Sequence, residues 1–388
     1  DTAQHGMIAH SDGGWDQKAP VQTRSERFTS TSLADFPPVT GREAVWKFAP
    51  IGKLDTLLNG ELDGTRPPLT VTTASGVASE WIGRDDSRIG RAAAPEERGA
   101  AAAWSAFDEA HLLTVSSEEP VTAVVARTDL GGDARAAHTI IEAKPHARGL
   151  VILENSGTAH LSENVEIVVG DGAELTVVSL QEWTEDARHL ASHYATVGRD
   201  ASLKHIVVSL GGEVVRLNPS IHLNQQGGNG EAYGAYFADA GQHIEHQVYM
   251  DHDAPHTRSR VNYKGALQGE GARTVWIGDV LIRNSATGTD SYEQNRNLTL
   301  SEGTRADSIP NLEIETGDIE GAGHASATGR FDDEHIFYLR SRGISEEDAR
   351  KLVVRGFLLE VIAQIGDATT EERLQAAIEA ELSGAVAS

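Results

Sequence analysis

The feature that most constrains this chain is a series of short β-branched runs, separated by turn residues, that recurs from about Pro120 to Ala322. Val121–Val125, Val165–Val169, Leu175–Leu180 and Ile206–Leu210 are each bounded by Gly, Asp or Asn, which is how strands read between turn signals. The chain also resembles itself here. Ala173-Glu174-Leu175 returns as Ala201-Ser202-Leu203, 28 positions on, and Val177-Val178-Ser179-Leu180 returns as Val207-Val208-Ser209-Leu210, 30 positions on. Turn-like pieces follow at Gly228-Asn229-Gly230, Gly269-Glu270-Gly271 and Glu302-Gly303. Recurring strand-and-turn units with hardly any helix between them predict a solenoid in which each coil buries its face on the next. The expected fold is mainly β, with a β-helix core over 120–331; a sandwich or barrel is the alternative.

The flanks read differently. Residues 1–40 mix Gly, Ser, Thr, Asp and Pro, contain no apolar h-region, and are expected to be a flexible leader rather than a signal peptide or anchor. Residues 41–119 form a mixed, helical region. Trp46, Phe48, Ile51, Leu54, Leu57 and Leu58 suit a short helix or turn packed on a larger body. Arg84–Leu113 is rich in Ala and charge; Pro95-Glu96-Glu97 opens a helix there that is expected to be mobile. Residues 332–388 form a helical module. Asp332 caps a helix through Ile336, Phe337, Leu339 and Arg340 that Gly343 ends. Ser345-Glu346-Glu347-Asp348 resembles a capping box and opens a helix carrying Leu352, Val353, Phe357, Leu358, Val361, Ile362 and Ile365. A last helix from about Thr370 places Leu374, Ile378 and Leu382 on one stripe.

The chemistry is bounded by what is missing. The chain has no cysteine, which excludes a disulfide scaffold, a zinc ribbon and a thiol nucleophile. A net charge of −25 repels phosphate backbones and anionic headgroups, and no apolar run reaches the roughly 18–20 residues of a membrane span. Neither nucleic acid nor membrane is expected as a partner, and the expected location is cytoplasmic. HExxH, GxSxG and HxH motifs are absent, and Gly52-Lys53 lacks the earlier glycine of a P-loop. Gly228-Asn229-Gly230 and Gly321-Ala322-Gly323 read as tight turns. His243, Glu245, His246, Asp251, His252, Asp253 and His256 are the densest ligand-capable stretch, yet strand alternation puts His243 and His246 on opposite faces. A solvated, polar turn is expected there rather than a metal site. His324 sits alone among small residues between the β body and the helical module.

Read whole, residues 240–345 carry a recognisable order of motifs. Met250-Asp251-His252, Tyr263-Lys264-Gly265 and Trp276-Ile277-Gly278-Asp279-Val280 come first. Asp290–Ser301 follows, then Ile309-Pro310-Asn311-Leu312-Glu313-Ile314, His324-Ala325, and Phe337-Tyr338-Leu339-Arg340-Ser341-Arg342-Gly343-Ile344. This resembles the SufB/SufD family of iron–sulfur cluster assembly scaffold proteins. The block at Pro310, Leu312, Glu313 and Ile314 and the block at Phe337–Ile344 are its specific parts. Upstream, Glu43-Ala44-Val45-Trp46-Lys47-Phe48 resembles a segment near the start of SufD chains.

The resemblance implies a right-handed parallel β-helix core with flanking helical N-terminal and C-terminal parts. It implies a non-catalytic scaffold that pairs with a SufB-like subunit and docks a SufC-like ABC ATPase through Phe337, Tyr338, Leu339, Arg340, Arg342 and Gly343, in a SufBCD complex. ATP hydrolysis is then the partner's work. The missing cysteines place the chain on the SufD side, since cluster and persulfide sulfur call for thiolate. The family motif Cys-x-His-Gly-Ala reads Ala322-Gly323-His324-Ala325-Ser326 here, and the Glu313–His324 spacing is one residue longer than the commoner pattern. His324 is the expected ligand to a transient iron–sulfur cluster shared with SufB; no cofactor is expected to be held by this chain alone. Two other readings stand beside it. One is a β-helix carbohydrate-active enzyme recruiting Glu245, Asp251 and Asp253; the other is a homodimeric SufD scaffold without SufB.

Overall fold

The computed structural model describes residues 27–330 and 333–384. The first 26 residues of the expected leader and the expected Asp332 cap lie outside the described residues. Two nine-stranded sheets face each other. The first sheet runs from Thr70–Thr73 through Val121–Thr128, Arg148–Gly157, Glu174–Trp183, Ser202–Ser209, Asn229–Ala238, Arg258–Leu267 and Thr289–Thr299 to Ile319–Gly329. The second runs from Val77–Gly83 through Glu109–Val115, Ala134–Ala143, His160–Val169, Arg188–Val197, Val214–Leu223, His243–His252 and Arg273–Ile282 to Arg305–Ile314. From Val121 onward the strands alternate between the sheets, and neighbours within each sheet are parallel. This is the parallel β-helix, and it reaches back into the 41–119 region. There Thr70–Thr73 and Val77–Gly83 pair antiparallel and finish the N-terminal end.

The two sequence recurrences differ in meaning. The 28-residue one is the coil: Leu175 lies opposite Leu203. The 30-residue one is not, because Val177 faces His205 and Ser179 faces Val207. It slips along the strand by an even step, which keeps each residue on its face and makes it look like a repeat. The coil also lengthens along the chain, from Ala134 opposite His160 to Arg273 opposite Arg305. A strict period is therefore invisible in the sequence.

Between the sheets lies a core that includes Leu113, Val151, Val165, Val177, Leu203, Ile221, Ile244 and Met250, all essentially inaccessible. Both outer faces are covered, which explains why strands such as His243–His252 are buried at every position. That strand corrects the expectation of a solvated turn at His243–His252; only the stretch around Ala254-Pro255 turns. His243 and His246 do point to opposite faces: His243 meets Glu245 at 3.0 Å outside, and His246 packs inside against Tyr236 and Tyr263. Gly321-Ala322-Gly323 is likewise strand, not turn.

Among the described residues five α-helices flank the sheets: α1 (Ile51–Asn59), α2 (Arg98–Ala106), α3 (Asp333–Ser341), α4 (Glu346–Ile362) and α5 (Ala368–Gly384). On the second sheet, α1 buries Leu54, Leu57 and Leu58 with Trp46 against Leu190 and Val214. Helix α2 is shorter than the Ala-rich stretch implied, and the expected mobility is not what the packing allows. Ala100, Ala101, Ala102, Ala103 and Trp104 are buried, and Asn164 and Ser162 donate to carbonyls of its first turn. The buried guanidinium of Arg216 fastens this layer, reaching Glu97 at 2.5 Å, Glu245 at 2.9 Å and the Trp46 ring at 3.9 Å. Further out, Arg27 bonds Glu96 at 2.8 Å and Asp279 at 2.9 Å, so residues 27–40 of the assigned leader lie along the body.

On the first sheet, Val354, Leu358, Val361 and Ile362 of α4, with Leu374, Ile378 and Leu382 of α5, close over Val178, Leu180, Ile206, Val208 and Phe237. Each such side chain contributes about 1.5–3 kcal/mol on burial. Helix α4 starts as its sequence predicts, with Ser345 Oγ accepting from the Asp348 N–H at 3.1 Å. Ion pairs pin the module: Lys264, buried beneath the Phe357 ring, meets Glu360, and Arg373 joins Glu154 and Glu182.

Candidate functional site: the open last coil

A solenoid must end, and how it ends decides what it can bind. Among the described residues Arg305–Ile314 and Ile319–Gly329 are the outermost strands of their sheets, with no strand beyond either. Their residues are half-buried or exposed where the preceding coils are buried. Two parallel strands with free backbone donors and acceptors side by side are a template for another chain's strands. The motif residues Pro310, Leu312, Glu313 and Ile314 all lie on one of these edges. Pro310 fits there because proline lacks the N–H that an interior strand must donate. Ile314 is 43% exposed.

His324 is on the other edge. It pairs in register with Glu293, and Ala322, Ser326 and Thr328 pair with Ser291, Asn295 and Asn297. These positions face between the sheets, so His324 is an inward residue left 46% exposed because no coil covers it. A β-bulge lies just before it. Thr289 opposes Ile319 while Asp290 opposes Gly321, so Glu320 is an extra residue bulged out of the ladder. The bulge restores the phase that points the imidazole inward.

Beneath His324 the interior is polar. Thr289, Ser291, Glu293, Asn295 and Asn297 are all buried on one strand. Asn295 Nδ2 donates to Tyr236 Oη at 2.8 Å, Tyr236 donates to Asn297 Oδ1 at 2.7 Å, and Ser308 donates to Asn295 Oδ1 at 2.7 Å. Three polar groups stay outside this network: Glu293, whose two oxygens have no hydrogen-bond partner, Trp276 Nε1 and Tyr263 Oη. Burial, with the nearby Asp279 charge, pushes the Glu293 carboxyl up to about 8. His324 Nδ1 is 3.8 Å from Glu293 Oε1. Among the described residues no three His, Asp or Glu side chains gather into a cation cage.

Deeper in, imidazoles His193 and His205 meet at 2.8 Å, and Arg127, Glu163, His189 and Gln181 form a satisfied buried network. The acids that a carbohydrate-active site needs are tied up elsewhere. Glu245 holds Arg216, and Asp251 holds Arg283 at 2.7 Å, both on the outer face. That reading is not favoured.

The second candidate surface is on α3 and the turn after it. Phe337 is 74% and Tyr338 56% exposed, with Arg342 stacked over the Tyr338 ring and Arg340 bonded to Glu346 at 3.2 Å. Leu339 is half-buried, and Gly343 adopts φ +84°, the left-handed conformation that ends the helix without strain. Aromatic side chains held out in water by a helical turn form an interaction surface, not a core. The six residues expected to bind a partner thus lie together, whereas His324 and the Pro310–Ile314 block sit on the last coil.

The sequence reading missed Glu293, Trp276 and Gly278. Polar residues at every inward position of Thr289–Asn297 hide burial from any hydrophobic pattern, and only the register with His324 exposes it.

The described residues thus form a parallel β-helix with an open last coil, a half-exposed histidine on that coil and a helical module packed on one sheet. The family model for the SUF system FeS cluster assembly SufBD core domain matches residues 126–357. The chain is 46% identical over 372 residues to iron-sulfur cluster assembly SufBD family proteins of Mycobacterium bovis and Mycobacterium tuberculosis, covering 93% of this chain and 94% of each relative. Two such proteins of Mycobacterium leprae also match, one 46% identical over 365 residues, 92% of this chain and 93% of the relative, the other 30% identical over 222 residues, 57% of this chain but 25% of the relative. The chain belongs to the SufB/SufD family of iron–sulfur cluster assembly proteins.

Proposed function

We propose that this chain is the SufD-type, thiol-free member of a two-scaffold iron–sulfur assembly complex. Its last coil docks edge to edge on a SufB-type β-helix, and His324 lends an imidazole to a cluster otherwise held by that partner. The cluster is cargo, assembled and passed on, and this chain's part is to position one ligand and the partner's edge. The observation that carries the reading is the inward-phased, half-exposed His324 on a coil with two free strand edges. The lack of cysteine supports the assignment, since this chain can give a cluster nitrogen or oxygen but no thiolate.

Helices α3 and α4 take the ATPase partner through Phe337, Tyr338 and the adjoining arginines. Buried Lys264, ion-paired to Glu360, gives movement of α4 a direct line to the first sheet two coils below the open end. Two family relatives of different length in Mycobacterium leprae favour a heteromeric pair over a homodimer.

The test is co-purification with candidate SufB-type and SufC-type partners, followed by reconstitution with iron and sulfide. Cluster absorbance on the complex should fall several-fold for His324→Ala while the complex stays intact. Wild-type rates for that variant would remove His324 from the mechanism.

A further inference from the structure

Glu293 is the least satisfied ionisable group of the interior. It is inaccessible, yet neither oxygen has a hydrogen-bond partner. A buried carboxyl in that condition costs free energy, so something must offset it when the protein works. The space around it is kept clear by a glycine: a Cβ on Gly278 would stand 2.3 Å from Glu293 Oε2 and equally close to the Trp276 ring. The other neighbour of opposite chemistry is its cross-strand partner His324, 3.8 Å away and open to solvent. With metal–ligand bonds of about 2.1 Å, two donors on a tetrahedral centre stand about 3.4 Å apart. A small rotation of the exposed imidazole closes that difference.

We propose that Glu293 and His324 form a half-site for one divalent transition-metal cation, entered from the open end of the solenoid. Water completes it in the free chain, and a docked partner's donors complete it in the complex. One carboxylate and one imidazole suit ferrous iron, cobalt or zinc and disfavour the soft monovalent copper that needs sulfur. The inference rests on the proposed function only for the identity of the cation, ferrous iron bound for a cluster. The donor pair stands on geometry alone.

The experiment uses the metal-free full chain, titrated anaerobically with cobalt(II) and read by visible absorption, with ferrous iron as competitor. One equivalent should bind, displaced by iron, and affinity should fall at least about tenfold in both Glu293→Gln and His324→Ala, as for loss of a metal-site residue. Thermal unfolding of Glu293→Gln, which keeps the side chain's shape and replaces the acid with an amide, guards against loss of fold. Cobalt binding unchanged in Glu293→Gln, or absent from the wild type, overturns the half-site whatever the assembly assay gives. Cobalt binding lost in both variants, with cluster assembly on the complex unaffected by His324→Ala, leaves the half-site standing and overturns the proposed function instead.

Discussion

At the scale of single residues, the last coil holds a side chain that serves the fold poorly. In the metal-free chain the folded carboxyl of Glu293 titrates near 8, against an ordinary value of 4.5. Below the lower value both folded and unfolded states are protonated and nothing is lost. As pH rises through that window the unfolded state ionises first, so stability drains away until the folded group ionises too. Glu293→Gln is therefore expected to stabilise the chain by a few kcal/mol at pH 8 and by little at pH 4.5, measured by urea unfolding at both. Ser345 behaves in the opposite, ordinary way. Its hydroxyl caps α4, and Ser345→Ala should cost about 1 kcal/mol in the same measurement. The cap was legible in the sequence because a capping box is a local code. Glu293 was not, because its burial depends on a neighbour 31 positions away, His324.

At the scale of elements, the helical module joins a buried face to an exposed one. Leu358 is inaccessible between α4 and the first sheet, and Leu358→Ala should destabilise the chain by about 2–5 kcal/mol. Phe337 and Tyr338 face water, so replacing both with Ala should move stability by no more than about 0.5 kcal/mol. Pull-down of the proposed ATPase partner by that double variant should nevertheless be lost. The stop of α3 and the starts of α4 and α5 were readable within a residue or two, since each carries a start signal or a stop signal, whereas the reading carried α4 on to Ile365, past its end at Ile362. Helix α2 was misjudged because an Ala-rich segment looks free until the sheet that buries it is known. The stretch at His243–His252 was misjudged for the same reason: covered on both faces, it shows no alternation to read.

At the scale of the whole molecule, the interior is a column of mixed character. His193, His246 and His252 are each pushed down to about 4 by burial, and burial beside His193 and His246 holds His205 well below its ordinary value, so all four are neutral in the folded chain at pH 7. Below 6.5 the unfolded chain takes up protons that the folded chain refuses. Stability is thus full above 6.5 and lost as pH falls toward 4, by several kcal/mol in sum. A thermal midpoint flat across pH 7 to 4.5 would contradict this. The coils are also locked by shape. A Cβ at Gly265 would stand 2.0 Å from the Tyr236 ring, and one at Gly234 would stand 2.1 Å from the Tyr263 ring. Solenoid architecture was legible in the short β-branched runs. The lengthening coil and these cross-coil glycine–tyrosine pairs were not, because they are facts of register.

The uncapped coil has a consequence for supply as well as for docking. If the proposed pairing is left unfilled, the chain displays two adjacent strand edges, and a second copy of itself offers a matching pair. Pro310 blunts one edge and the flanking charges help, but neither closes it. Under the proposed pairing the chain's solubility becomes a reading of stoichiometry, and balanced synthesis of the two scaffolds is a requirement set by the fold's free rim rather than left to regulation alone.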